Sequence, residues 1–106
     1  MLQRIETLLD APATGEAAPS LASLEATLTE GYARALALEA ERSRIERRFG
    51  EVARTVEPPV AASGAADELL TLAKRLTHAN AEIGSLRAVL RRLQARTRAL
   101  RHATIA

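Results

Sequence analysis

From Leu69 to Thr104 the chain reads LLTLAKRLTHANAEIGSLRAVLRRLQARTRALRHAT. Within it Leu69, Leu72, Leu76, Ala79, Ile83, Leu86, Leu90, Leu93, Thr97, Leu100 and Thr104 recur at alternating steps of three and four. No proline interrupts the run, and Gly84 is its only glycine. Such an alternation holds one ridge of side chains on one face of an α-helix, as in the a/d seam of coiled-coil packing. A long helix over 67–104 is expected, and so long a ridge needs a second ridge to cover it.

That second ridge lies upstream. Leu21, Leu24, Leu28, Gly31, Ala35, Leu38, Arg42, Ile45, Phe49, Val52 and Val56 repeat the same alternation. Ser20 stands where an N-cap hydroxyl accepts a free backbone N–H of the first turn. Pro58 and Pro59 end the pattern, because proline lacks the N–H and biases the residue before it away from helix. This predicts a helix over 20–57, a connecting loop over 58–66, and a third segment capped by Ser63 or Asp67, with Asp67 and Glu68 suited to its first turn. At 1.5 Å rise per residue each long helix would span ~55 Å. A short loop makes an antiparallel hairpin the default. With the turn centred near Ala61 and Ala62, small Gly31 and Ala35 fall opposite bulky Leu90 and Leu93, and Arg42 falls opposite Glu82. The same register sets the acids of the chain's beginning beside its basic end. Residues 83–106 hold six arginines and no acid.

Residues 1–10 place Leu2, Ile5, Leu8 and Leu9 on one helical face. So short a helix is marginal in water, so it is expected to dock on the long pair or to fray. Residues 11–19, with Pro12, Gly15 and Pro19, read as a linker. The whole is expected to be one all-α domain: an antiparallel hairpin of two long helices plus a short N-terminal helix, completing a three-helix bundle or, by dimerisation, a four-helix one. Leu36, Leu70, Val89 and Tyr32 lie off the seam and are read as a second stripe that a docked helix or another copy would cover, so a homo-oligomer is expected.

Composition narrows the function. The 106 residues contain no cysteine and only two aromatics, Tyr32 and Phe49, and the formal net charge is +2. No disulfide or thiolate site is available. No apolar run reaches the ~18 residues of a membrane span, and the beginning of the chain lacks a signal-peptide core, so a cytoplasmic protein is expected. His78 and His102 lack a glutamate three residues before them, so a ferritin-like metal site is not expected. No cofactor and no catalytic group is expected, because no acid sits in an apolar setting that would tune it for proton transfer. Arg87, Arg91, Arg92, Arg96, Arg98 and Arg101, with His102, raise nucleic-acid binding. They are distributed around the seam without aromatics to stack bases, so that reading is disfavoured. Gly84 lowers helix propensity by ~1 kcal/mol relative to alanine. It is read either as solvent-facing drift or as a place for another helix to approach closely.

The run Thr77-His78-Ala79-Asn80-Ala81-Glu82-Ile83-Gly84-Ser85-Leu86 resembles the Asn-x-x-Asn-Gly-x-Leu region in the last helix of FlgN-like flagellar export chaperones. Asn80, Gly84 and Leu86 match, and Ile83 stands at the second Asn. Leu21 to Phe49, with Glu30, Leu36 and Leu38, resembles the family's long first helix. The resemblance implies a small cytosolic chaperone that holds the C-terminal helical part of hook-filament junction proteins and delivers it to the export gate. The partner would be an amphipathic client helix lying in a groove, anchored at i, i+3, i+4 and i+7. On this chain the protein-binding residues would be Asn80, Gly84, Leu86, Val89, Leu90 and Leu93. The alternatives are a structural coiled-coil oligomerisation module without a client, and a small basic nucleic-acid-binding protein.

Overall fold

The computed structural model describes residues 1–55 and 64–105, with side chains as far as Ala103. The protein is all-α, and no strand occurs among the described residues. Three helices follow one another: α1, Leu2–Asp10; α2, Leu21–Thr55; and α3, Ala65–Ile105. Positions 58–63 of the expected loop, the Ser63 cap, and the side chains of Val56 and Thr104 lie outside the described residues.

The starts of α2 and α3 follow from local chemistry. Ser20 caps α2: its Oγ accepts from the Ser23 N–H at 3.1 Å, and its carbonyl accepts from the Leu24 N–H at 3.0 Å. α3 starts one turn earlier than an Asp67 cap would place it. Gly64, at φ +70°, gives its carbonyl to the Glu68 N–H at 3.1 Å, and Asp67 and Glu68 then lie in the first turn. Carboxylates there meet the positive end of the helix. α1 has no side-chain cap at its start and no basic residue in its last turn, and it runs into extended backbone at Ala11. Its terminal carbonyls therefore need donors from elsewhere.

The chain divides into two compact units, the first formed by residues 1–36 and 84–106 and the second by residues 37–83. α2 and α3 contribute to both, whereas α1 belongs to the first unit alone. Within each unit the α2 and α3 portions are antiparallel. In the first, Glu25 meets Arg101 and Tyr32 meets Gln94. In the second, Arg42 meets Asn80 and Arg48 meets Glu68. Rising numbers on one helix thus meet falling numbers on the other, as the hairpin requires.

The interior of the first unit is built by all three helices. Ile5, Leu24, Leu86, Leu90, Leu93 and Thr97 are essentially inaccessible, and Ala35, Val89 and Thr27 are buried with them. The two threonines turn their hydroxyls back on their own helices. Thr27 Oγ1 donates to the Ser23 carbonyl at 2.9 Å, and Thr97 Oγ1 donates to the Leu93 carbonyl at 2.8 Å. That satisfies groups whose burial would otherwise cost about 1–3 kcal/mol each. Gly31 supplies a recess. A Cβ built on it would overlap Leu90 Cδ2 and would lie 3.6 Å from Ile5 Cδ1. The predicted match of small Gly31 with bulky Leu90 is present, and Ile5 fits beside it. Among the described residues the second unit has two helical portions, from α2 and α3. Its core of Ile45, Val52 and Leu72 is flanked by Phe49, Ala65, Leu69 and Leu76, all partly buried.

Candidate functional site

An apolar groove opens in the second unit. Leu38, Ile45 and Ala79 line it, with Glu41, Lys74, Arg75, His78 and Glu82 among its charged or titratable residues, and its volume is about 330 Å³. The seam explains the apolar residues. Leu38 and Ile45 are one heptad apart on α2, and Ala79 is the smallest apolar seam residue of this part of α3. A small residue between two larger ones on the facing helix leaves a depression. The charged residues interact with one another across and along the helices. Arg75 Nη2 lies 4.0 Å from Glu41 Oε1, and His78 Nε2 lies 4.0 Å from Glu82 Oε2. The Arg75–Glu41 distance is at the limit of ion pairing in a water-exposed position, where a pair contributes only ~0–1 kcal/mol. Lys74 and Thr71 are exposed. Leu70, one turn before Lys74, is 56% exposed.

The polar contacts beside the groove are stronger. Arg42 Nη1 donates to Asn80 Oδ1 at 3.2 Å, and Arg42 Nε lies 3.4 Å from Glu46. Asn80 is two residues from Glu82, the partner expected for Arg42, so the register is within about half a turn of the one read from the seam. Arg48 binds Glu68 Oε1 through Nε and Nη2, both at 2.8 Å. That hydrogen bond, followed by the attraction of the carboxylate, holds the Arg48 guanidinium above its ordinary pKa.

The six residues named as a protein-binding set do not share one environment. Asn80 belongs to the second unit, is exposed, and accepts from Arg42. Gly84 belongs to the first unit, is exposed, and has open space where a side chain would stand. Leu86, Val89, Leu90 and Leu93 are 2%, 8%, 1% and 0% exposed, closed into the first unit's own interior. Val89 was read as part of a second stripe that a docked helix or another copy would cover, and it is buried within the three-helix unit. A helix packed in a three-helix unit buries a face wider than the narrow a/d seam, and Val89, beside Leu90, falls in the widened part. Leu36, by contrast, is 63% exposed.

Sequence reasoning missed the role of Arg96. Its guanidinium spans the end of α1. Nη1 donates to the carbonyls of Leu8 at 2.9 Å and Leu9 at 2.6 Å, and Nη2 donates to those of Ala11 at 2.6 Å and Pro12 at 2.8 Å. A positive fork at a helix C-terminus satisfies orphan acceptors and opposes the negative end of the dipole. The available signal was indirect: a short helix with no glycine and no base at its end, facing a helix rich in arginine. The expected meeting of acidic beginning and basic end is also present. Arg101 Nη2 binds Glu25 at 2.7 Å. A separate pair, Arg4 with Glu30 at 2.6 Å, lies within the beginning of the chain and joins α1 to α2.

Among the described residues no helix is long and apolar enough to cross a membrane, and no group of three or more metal-ligating side chains could hold an ion. The chain matches no protein-family model, no curated protein and no solved structure.

Proposed function

We propose that this protein is a helix-binding chaperone or adaptor, and that its second unit receives the helix. The observation that carries this reading is the difference in helix number. The first unit closes its interior with a third helix, α1, while among the described residues the second has only its α2 and α3 portions and an open groove lined by Leu38, Ile45 and Ala79. An amphipathic helix would lie on the aliphatic stems of Glu41, Lys74 and Arg75, with Leu38, Ile45 and Ala79, 4%, 5% and 8% exposed, as the floor beneath it. Its flanking polar residues would meet the charged ends of Glu41, Lys74, Arg75 and Glu82. Leu70 and Thr71 lie where the edge of such a helix would pass. The resemblance to FlgN-like export chaperones supports the same class of function and names a client to try, the C-terminal helix of a hook-filament junction protein. Asn80, already held by Arg42, would border the bound helix.

The test is a titration of such helical peptides against the native protein and Thr71→Arg, followed by fluorescence anisotropy. Thr71 is exposed, so the substitution leaves folding within about 0.5 kcal/mol of native. It should fill the groove mouth and weaken binding by about tenfold or more, equivalent to ~1.4 kcal/mol. Equal affinity of the two proteins for a peptide that binds would move the site elsewhere. A series in which no amphipathic helix binds would remove the function.

A further inference from the structure

We infer that the first unit contains a second helix-binding site, that α1 is its resident occupant, and that a partner helix of α1's chemistry exchanges with it. The inference rests on how α1 is held and does not depend on the groove of the second unit.

Two features hold α1, and both are of a kind that a different helix could satisfy. The first is a socket. Ile5 is wholly buried, and its Cδ1 reaches the place left open by the missing side chain of Gly31. Leu8 and Leu9 are only half-buried. The second is the Arg96 fork, whose four acceptors are all main-chain carbonyls. Two of them, those of Leu8 and Leu9, belong to the last turn of α1, and two, those of Ala11 and Pro12, to the segment just after it, which is extended at Ala11. The fork thus recognises a helix end that runs into extended backbone, and not the side chains on it. One side-chain pair adds a preference: Arg4, beside the anchoring isoleucine, meets Glu30, with both side chains about half exposed. The fitting partner is therefore a helix ending at Arg96, with an isoleucine-sized anchor about one turn before its last carbonyls and a basic residue next to that anchor.

The way α1 is tethered makes exchange feasible. It has nine residues, fewer than an isolated helix needs to persist in water, and one wholly buried side chain. Pro12, Gly15 at φ +93° and Pro19 separate it from α2, so no helical continuity ties the two together. When α1 leaves, the face it covered includes Gly31 and Leu90, members of the two seams. The residues read from the sequence as a binding ridge would thus be reached through an opened first unit.

The probe is the acetylated and amidated peptide of residues 1–12 of this chain, titrated into the full-length protein. Wild-type protein should bind it weakly, because the tethered α1 occupies the socket. Ile5→Asp in the protein, which expels α1, should bind the peptide at least about tenfold more tightly, the factor by which a resident occupant reduces apparent affinity. Adding Arg96→Met should return the affinity to the wild-type level or below, and a peptide carrying the same Ile5→Asp change should not bind. Failure of the Ile5→Asp protein to gain affinity while its helical circular dichroism is retained overturns the proposal, as does undiminished binding after loss of Arg96. Hydrogen exchange of the wild-type protein guards against a variant that merely unfolds. Amides of Ile5 to Asp10 should exchange at least about tenfold faster than those of Leu86 to Leu93, as for a separately opening segment. Equal protection of the two would mean that α1 does not leave alone and would refute the exchange.

Discussion

The two units are made of the same pair of helices, yet among the described residues only the first has a third helix packed on the pair. In the first, three helical segments drive Ile5 and Leu93 to 0% exposure and Leu90 to 1%. In the second, two segments leave Ile45, Val52 and Leu72 at about 5% each, with Phe49, Leu69 and Leu76 only partly covered. The lesson is geometric. A helix pair has one shared ridge and two open flanks, and only a third element closes a flank. Nine residues of α1 supply that element in one place. The residues that a two-helix reading would offer to a partner are there consumed by the protein itself.

If this comparison is right, core truncation should cost more in the three-helix unit. Leu93→Ala is expected to destabilise by about 3–5 kcal/mol and Leu72→Ala by about 2–3 kcal/mol, because the less enclosed site relaxes more readily around the lost atoms. Urea denaturation of the two variants measures the difference, and equal losses would break the comparison. Arg96→Met should lower the opening free energy of α1 by about 2–3 kcal/mol, since charged hydrogen bonds are stronger than neutral ones and only part of their sum is recovered by water. Hydrogen exchange at Leu8 and Leu9 reads that loss, and no change there would show that the clamp is incidental. Two glycines sharpen the picture further. Gly31→Ala should cost about 1–3 kcal/mol by overpacking against Leu90, whereas Gly84→Ala should stabilise by up to ~1 kcal/mol through helix propensity alone. The smallest effect belongs to Arg101→Ala. It breaks an exposed pair with Glu25 and should shift stability by less than ~1 kcal/mol, and less again in high salt.

Much of this architecture is legible in the sequence because the alternation of three and four is itself a geometric statement. The seam from Leu72 to Thr97, the Ser20 cap and the Gly31–Leu90 match all follow from spacing and residue size. What was not legible depends on where α1 docks. Thr27 looks like an ordinary helix-surface threonine until the third helix widens the buried face, and spacing alone does not say that Val89, of the second stripe, is covered within the unit while Leu36 is not. Arg96 is indistinguishable in sequence from its five arginine neighbours. Only the position of four carbonyls, set by tertiary packing, gives it a separate task. The candidate site was less legible than the fold. The match over Asn80, Gly84 and Leu86 carries no information about which flank remains open, and that is decided by the extent of α1.

A clamp built on peptide oxygens has a consequence for how this chain can change. Glu6, Thr7, Asp10 and Ala11 contribute no side-chain atom to the hold of Arg96, so their identities are free to drift while the latch persists. Variation should concentrate in that segment, and Arg96, Gly31 and the anchor at Ile5 should resist it. An engineer could rewrite the leading segment around its single isoleucine to attach a label or a recognition tag, and the remainder of the molecule would still close over it.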